Sequence, residues 1–291
     1  SGVHARPTTT LRMADEDFLA LSGCAVQVTI GKRNSSLGRM ARPSQRLLLE
    51  LEYLRLAPDC IASMRGDGRD ELADALETAW ENKHEQLPAL IFNATLGGEE
   101  YRSFWLASRT PSSYPAVSDP AVLSALSAIN AHVARWLGGD YRADNTGFEI
   151  LLGEVAGGSG GALLRALARQ GEWLAAANRM LASRQDRGSL CAPGIRHDAA
   201  DILPNVIRKY LIEGIQPRSA ALNQRYHELL PPVQELEETL ENVLPQDYRQ
   251  WRALRDSLFA DTAAAPRRHV EELQIIQEPC GANTTVADKI G

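Results

Sequence analysis

Four cysteines constrain the fold of this chain more than any other feature. Cys24 and Cys60 lie near the N-terminus, whereas a bond between Cys191 and Cys280 would connect the middle of the chain with its C-terminal end. The count is even, and no pair has the spacing of a metal knuckle such as Cys-x-x-Cys. The cysteines therefore predict two disulfide bonds. They also predict an exported protein, because structural disulfides persist in oxidising compartments.

Apolar residues recur at helical spacing along most of the chain, and alternating strand patterns are nearly absent. The first stretch predicts a helix from Asp15 to Leu37, and the second predicts a helix that begins at Pro43 and is stopped by Pro58. Further helices are predicted over about 72–88, 122–137, 163–181, 202–212, 222–230, 233–244, 248–259 and 270–276. Residues 89–95 are compatible with a strand, and residues 148–155 fit a strand or a short helix.

These patterns predict an all-α fold, an irregular bundle of about nine helices. We expect a single helical domain over 14–281, a disordered lead over 1–13 and a flexible tail over 282–291. Residues 184–200 read as irregular, and the serine- and proline-rich stretch 107–120 reads as a loop. Gly157–Gly161 is expected to form a hinge or a close helix-packing turn, because it lacks the Gly-Lys-Ser/Thr ending of a phosphate loop.

The predicted hairpin of the first two helices can be compared with the cysteine positions. At a rise of about 1.5 Å per residue, Cys24 lies about 20 Å before Leu37, and Cys60 lies about 24 Å beyond Ser44. An antiparallel hairpin would therefore bring these cysteines to similar heights and favours the pairing Cys24–Cys60, although four cysteines allow three pairings. A bond between Cys191 and Cys280 would then fasten the last helix to the irregular segment, at a typical gain of about 2–5 kcal/mol.

Composition excludes some classes of partner. The formal net charge is −6 and the isoelectric point is near 5.6, which argues against nucleic acid as the main partner. No run approaches the roughly 20 apolar residues that a membrane helix requires. The chain begins Ser-Gly-Val rather than at a methionine, so we expect a mature form whose targeting segment has been removed.

The most unusual polar stretch surrounds the predicted turn between the first two helices. Two arginines, an asparagine and several hydroxyl groups in this stretch favour binding of a carboxylate, a phosphate or a glycan through forked hydrogen bonds. The candidate ligand-binding residues are Arg33, Asn34, Ser35, Arg39, Gln45 and Arg46. The same stretch also makes a good set of helix caps, with Ser36 or Gly38 ending one helix and Ser44 starting the next.

No motif of the sequence indicates a reaction. There is no HExxH or CxxC metal motif and no Gly-x-Ser-x-Gly elbow, so no catalytic residue, metal ligand or cofactor is predicted. The adjacent carboxylates Glu99-Glu100 and Glu237-Glu238 are interpreted as solvated surface. The aromatic residues Phe104, Trp105, Trp136, Trp173 and Trp251 are interpreted as core packing rather than as a binding groove.

Several segments resemble a known family. The residues that carry the resemblance are 18–24 (FLALSGC), 33–39 (RNSSLGR), 43–47 (PSQRL), 59–61 (DCI) and 93–96 (NATL). They are similar to domain of unknown function family 3080, a gammaproteobacterial group many of whose members are described as lipoproteins. The resemblance is clear over 17–105 and extends to about residue 281. It implies localisation in the cell envelope and supplies no activity and no functional residues.

Three hypotheses of function follow. The first is a non-enzymatic periplasmic protein, held at the outer or inner membrane by a lipid anchor, that binds an envelope protein or a cell-wall component. The second is a receptor for a small anionic or glycan ligand at the turn from Arg33 to Arg46. The third is a hydrolase of an envelope polymer. Its only support is the expected location of the protein in the cell envelope. In the first hypothesis, the protein contacts the membrane only through its lipid anchor.

Overall fold

A computed structural model describes residues 4–8, 15–106 and 119–281 of the chain, with the backbone alone for residues 15–17. The predicted flexible tail and most of the predicted disordered lead lie outside these residues, as does nearly all of the predicted loop 107–120. Residues 4–8 of the lead are bonded to folded residues. The backbone nitrogen of Arg6 donates to Asn93 Oδ1 at 2.7 Å, and that of His4 donates to Asp247 Oδ2 at 2.9 Å.

The predicted all-α fold is confirmed. The described residues form three short helices, α1 (Asp15–Ala20), α3 (Ser36–Arg39) and α6 (Glu99–Trp105), and nine longer ones: α2 (Ala25–Asn34), α4 (Pro43–Gly66), α5 (Asp70–Ala94), α7 (Pro120–Leu137), α8 (Asn145–Gly157), α9 (Gly160–Gln185), α10 (Asp198–Val206), α11 (Gln216–Thr239) and α12 (Gln246–Gln277). A π-helical segment, Ile207–Ile215, connects α10 with α11. Two short strands, β1 (Cys191–Ala192) and β2 (Ile195–Arg196), pair antiparallel.

The prediction that Pro58 ends the second helix is wrong, because α4 continues to Gly66. A proline inside a helix removes the hydrogen bond to the carbonyl four residues earlier, which here belongs to Leu54. That carbonyl accepts a hydrogen bond from Trp80 Nε1 at 3.0 Å instead. Burial of Cys60 and Met64 beyond the proline also favours continuation of the helix.

Three other predicted segments differ from the structure. Residues 89–94 continue α5 through Pro88 rather than forming a strand, and 148–155 belong to α8. The first predicted helix is divided into α1, α2 and α3, with breaks at residues 21–24 and at Ser35. The segment predicted to be irregular contains the β1–β2 hairpin, whose turn is Pro193-Gly194, with Gly194 at a φ of 75°.

Contacts divide the chain into two compact units. The described part of unit 1 comprises 4–8, 15–106, 119–158 and 230–250, and that of unit 2 comprises 159–229 and 251–281. The expectation of a single domain over 14–281 stays a prediction, because a compact unit need not fold on its own.

Unit 1 contains an extensive apolar core. One cluster joins α2, α4 and α5 around Leu21, Val26, Ala57 and Leu76, all with no exposed surface. The aromatic side chains of the other helices are also buried, and Trp136 contacts Phe148 edge-on at 5.2 Å between ring centroids. The core interpretation of Phe104 and Trp136 is therefore confirmed.

Gly158, at the end of α8, provides close packing in unit 1. A Cβ atom at this position would lie 2.7 Å from the Phe104 ring and 2.9 Å from Val122. Real Cβ atoms do not approach other atoms so closely. Glycine is therefore needed here for the close contact with Phe104 and Val122 rather than for a bound phosphate. Of the two expectations for Gly157–Gly161, the packing turn is the one that this contact supports.

Among the described residues, unit 2 buries fewer apolar side chains than unit 1, and they include Leu163, Leu167 and Phe259. Leu190, Ala200 and Ile276 form one cluster, and Ile207, Leu211 and Leu273 form another. Contacts of α9 with α12 advance in the same direction along both helices: Gly171 lies against Thr262, and Asn178 against His269. These two helices therefore run parallel. In contrast to the prediction for Trp173, its side chain is 67% exposed.

Both predicted disulfides are present. Cys24 is bonded to Cys60 with Cα atoms 5.7 Å apart, and Cys191 is bonded to Cys280 with Cα atoms 5.0 Å apart. The first bond joins the residue before α2 to α4 inside the core of unit 1. The second joins β1 of unit 2 to the 3₁₀ turn that follows α12.

One described stretch, Asn145–Gln185, is long and apolar enough to cross a membrane by length and composition, contrary to our expectation from the sequence. Core helices of folded proteins meet the same criterion. Gly158 and Ser159 divide this stretch into α8 and α9. Only 33% of its apolar window is buried, although Leu152 and Leu163 are buried within units 1 and 2, respectively.

Candidate functional site

Capping hydrogen bonds and a close backbone approach define the turn between α2 and α4. Ser35 ends α2 and caps α3: its Oγ accepts a hydrogen bond from the Gly38 backbone nitrogen at 3.0 Å and donates to the Lys32 carbonyl at 2.7 Å. A Cβ atom at Gly38 would collide with the carbonyl oxygens of Lys32 and Arg33, so the turn requires glycine there. The capping function predicted for Ser36 or Gly38 thus belongs to Ser35.

The six predicted ligand-binding residues do not converge on one concavity. Ser35 and Gln45 line a groove beside the turn. Asn34 and Arg39 are exposed outside it, and Arg46 donates to the Arg39 carbonyl at 3.4 Å. Ser44, a predicted cap, instead donates from Oγ to Glu149 Oε1 of α8 at 2.6 Å.

Arg33, the first of the predicted ligand-binding arginines, belongs to a buried ionic cluster. Its Nε lies 2.5 Å from Oε1 of Glu50, whose side chain is only 3% exposed, and Lys83 Nζ pairs with the other carboxylate oxygen. Lys83 also lies over the Tyr53 ring, 4.8 Å from its centroid. Burial lowers the pKa of Lys83, and the Arg33 charge acts in the same direction against the attraction of Glu50. Arg33 is therefore paired within unit 1 and does not line the groove beside the turn.

The groove beside the turn has a volume of about 560 Å³, within the usual range for ligand sites. It is an open depression in unit 1 with one face of α4 as its base. One wall is formed by the α2–α4 turn and the other by the segment that precedes α8. The lining residues are Lys32, Ser35, Leu37, Gly38, Ala41, Gln45, Leu48, Leu49, Glu52, Arg55, Tyr141, Ala143 and Asn145.

The groove combines apolar surface with a few charged and polar groups. Leu37, Leu48 and Leu49 supply the apolar part. Lys32 Nζ pairs with Glu52 at 3.4 Å, whereas Arg55 is exposed and has no ion-pair partner within the part of the chain that the structure describes. The free guanidinium gives the groove a donor for a carboxylate or phosphate.

Of the thirteen groove residues, only Ser35 and Gln45 were among the predicted ligand-binding residues. Sequence reasoning did not consider polar groove residues such as Arg55, Tyr141 and Asn145. Arg55 lies on α4 two turns beyond Leu48, and Tyr141 and Asn145 lie about 100 residues further along the chain. The helical spacing of Gln45, Leu48, Leu49, Glu52 and Arg55 places them on one face of α4, and this signal was available in the sequence. The position of Tyr141 and Asn145 beside that face depends on tertiary packing alone.

A second polar cluster of unit 1 is buried and offers no access to a ligand. The interpretation of Glu237 as solvated surface is wrong, because Glu237 is only 1% exposed. Tyr248 Oη donates to Glu237 Oε1 at 2.6 Å and lies 3.3 Å from Tyr101 Oη. Burial, followed by the electrostatic effects of Tyr101 and then of Glu237, raises the pKa of Tyr248 well above its ordinary value. This cluster is a structural network.

Within the described ranges, no group of three or more histidine, cysteine, aspartate or glutamate side chains is placed to hold a metal ion. His84 stacks on Trp80, and His132 stacks on Trp136. In the described part of unit 1, the groove is a surface feature in which charged, polar and apolar groups come together around open space.

The profile of one protein family matches residues 4–284, nearly the whole chain, and that family is described as a protein of unknown function, DUF3080. The matched region includes the groove and all four cysteines. No curated protein and no solved structure matches the chain. The geometry of the site is therefore the basis for a functional conclusion.

Proposed function

This chain belongs to the DUF3080 family, whose description assigns no function, and we propose that it is a non-enzymatic binding protein of the cell envelope. In this proposal it is a periplasmic gammaproteobacterial lipoprotein, held at the outer or inner membrane by an N-terminal lipid anchor. Its groove binds an envelope protein or a cell-wall component. The two disulfides support an oxidising compartment, since such bonds are rarely kept in the cytosol.

The observation that carries the proposal is the unpaired Arg55 at the apolar groove. A carboxylate or phosphate of a partner would pair with this guanidinium, and apolar groups of the partner would cover Leu48 and Leu49. Tyr141 adds an aromatic wall on the opposite side. Lys32 and Glu52 at the groove pair with each other, and the Ser35 hydroxyl is occupied as a helix cap, so binding describes the chemistry of the groove better than a reaction does.

The groove can be tested by placing a photo-crosslinking amino acid at Gln45 in the full-length protein, expressed in its native envelope. We expect a discrete adduct that disappears when Arg55 is changed to glutamate. A crosslinker at Glu81, an exposed residue of α5 outside the groove, serves as the matched control. Adducts that are the same at both positions, or that persist with Arg55→Glu, would contradict the proposal.

Two further measurements test the compartment and the kind of partner. Cell fractionation should place the protein with the envelope, and a purely cytosolic protein would exclude the proposal. Co-sedimentation with purified peptidoglycan separates a cell-wall component from a protein partner. If co-sedimentation with peptidoglycan requires Arg55, the partner is a cell-wall component. If a protein adduct forms at Gln45 and the chain does not sediment with peptidoglycan, the partner is a protein.

A receptor for a small anionic ligand is a second candidate function. Arg55, Lys32, Gln45 and Asn145 surround the same open volume, which is large enough for such a ligand. The six residues expected from the sequence would not form this receptor, because only Ser35 and Gln45 reach the groove. A ligand that binds the purified protein with an affinity reduced at least tenfold by Arg55→Gln would favour this function over the first.

A further inference from the structure

The tip of the α2–α4 turn carries two unusually exposed apolar side chains. Leu37 of α3 and Met40, which follows α3, are each 86% exposed, the largest values among the large apolar residues that the structure describes. Single exposed apolar residues are common on protein surfaces. Two that lie three positions apart in one turn are a different case, because the Ser35 cap and the close backbone approach at Gly38 define the conformation of the turn.

The charge around the tip has the opposite sign to that of the whole chain. Residues 18–49 contain no aspartate or glutamate and five basic residues, although the formal net charge of the chain is −6. Arg33 is committed to Glu50. Arg39 and Arg42 are exposed on either side of Met40, and Lys32 is 54% exposed despite its pair with Glu52.

We propose that this tip is a peripheral contact with a bilayer surface that bears anionic phospholipids. Leu37 and Met40 enter the boundary between headgroups and acyl chains, while Arg39 and Arg42 bind lipid phosphates. The combination of apolar side chains with flanking cations is what interfacial membrane binding requires. Arginine suits this position because its aliphatic stem packs on the apolar layer while its guanidinium stays at the phosphates.

The geometry favours a lipid surface over a protein partner at the tip. A protein partner of high affinity requires a surface of complementary shape, and the concave surface of this region lies beside the tip, in the groove. The tip exposes Leu37 from the four-residue helix α3 and Met40 directly after it, and a fluid interface accepts such side chains without a shaped pocket.

This contact goes beyond the groove function and beyond an N-terminal lipid anchor. Met40, Arg39 and Arg42 do not line the groove, so their substitution separates the two surfaces. Leu37 contributes to both and is left unchanged in the decisive variants.

The test is sedimentation of the purified, disulfide-bonded chain with vesicles of phosphatidylcholine alone or with 30% phosphatidylglycerol added. We expect partitioning onto the anionic vesicles that weakens as salt is raised. The double variant Arg39→Gln/Arg42→Gln should reduce it about thirtyfold, at roughly fivefold per basic side chain. Met40→Ser should reduce it about tenfold through loss of apolar burial.

The matched control is Arg187→Gln/Arg267→Gln, which removes the same charge from two exposed positions of unit 2. It should change partitioning by less than about threefold. The groove is tested separately, by the effect of Arg55→Glu on the Gln45 crosslink. The groove function and the lipid contact can therefore fail independently of each other. Circular dichroism of each variant checks that the helices are retained.

Three outcomes would overturn the lipid contact. The first is an absence of binding to anionic vesicles at low salt. The second is an equal loss in the control pair, which would assign binding to net charge alone. The third is an unchanged partition coefficient in the tip variants together with loss of the Gln45 adduct, which would assign the tip to a protein partner.

Discussion

The two units differ in the extent of their apolar cores. A smaller fraction of the described residues is buried and apolar in unit 2 than in unit 1. In unit 1 the buried Glu50 carboxylate is also paired with two cations, and Glu237 accepts a hydrogen bond from Tyr248. Both units contain buried polar atoms without a hydrogen-bond partner among the described residues, such as Asn130 Oδ1 in unit 1 and Ser219 Oγ in unit 2. Unit 1 thus has the more extensive core, and we infer that unit 2 depends more on its disulfide.

Removal of the disulfides gives the largest expected difference between the units. The Cys191–Cys280 bond closes a chain segment of 89 residues and the Cys24–Cys60 bond one of 36, so loop-closure entropy predicts losses of about 4–5 and about 3–4 kcal/mol, respectively. The smaller core of unit 2 should leave Cys191→Ser/Cys280→Ser with faster hydrogen exchange throughout α9 and α12. If hydrogen exchange in α9 and α12 stays slow in this variant, while Cys24→Ser/Cys60→Ser unfolds unit 1, then unit 1 and not unit 2 depends more on its disulfide.

Glu50→Gln tests the ionic cluster of unit 1. It leaves Arg33 and Lys83 without their shared carboxylate, and we expect a loss of about 3 kcal/mol from the free energy of unfolding. Glu52→Gln is the matched control, since Glu52 is 31% exposed and pairs with Lys32 at the surface. Its loss should stay below about 1 kcal/mol. Denaturant unfolding of both variants measures the difference, and equal losses would show that burial of Glu50 is not decisive.

Two serine substitutions compare satisfied and unsatisfied hydroxyl groups. Ser44→Ala in unit 1 removes a hydrogen bond to Glu149 and should cost about 1 kcal/mol. Ser219→Ala in unit 2 removes a buried hydroxyl that has no partner, and it should leave stability unchanged or raise it by about 0.5 kcal/mol. Thermal unfolding distinguishes them, and a clear loss with Ser219→Ala would mean that the hydroxyl is bonded in solution.

The smallest expected effect is a response to acid in both units. Burial lowers the pKa of His269 in unit 2 and, together with the neighbouring Arg135, that of His132 in unit 1. Below pH about 6.5 the unfolded chain takes up protons at these histidines before the folded chain does, so stability falls as the pH falls from this value toward the lowered pKa. Solvent screening keeps the loss under about 1 kcal/mol.

The acid response can be assigned by substitution. His269→Gln should flatten the pH dependence of hydrogen exchange in unit 2, and His132→Gln should flatten that in unit 1. His227→Gln, at an exposed position of unit 2, is the control. A pH dependence that survives both substitutions would place the titrating group elsewhere.

The sequence indicated where the candidate site lies in the chain, but it did not indicate which residues line the groove. The sequence drew attention to the turn around Ser35 and Gln45, and the groove lies there. Arg33 was expected to face a ligand, yet Glu50 draws it inward, because a buried carboxylate requires a cation. Exposure of Trp173 and burial of Glu237 show the same limitation, since neighbouring residues of a helix do not reveal which face it buries.

Local spacing of apolar residues determined the helical fold, and the even number of cysteines indicated two disulfides before the chain was folded. These are properties of one helix face and of covalent chemistry, so the sequence alone contains them. The tertiary structure decided which helices continue through proline, because Trp80 of α5 reaches the Leu54 carbonyl that Pro58 leaves free. It also decided the groove, because Arg55 and Tyr141 line the same groove through tertiary packing, although they lie far apart in the sequence and no local pattern connects them.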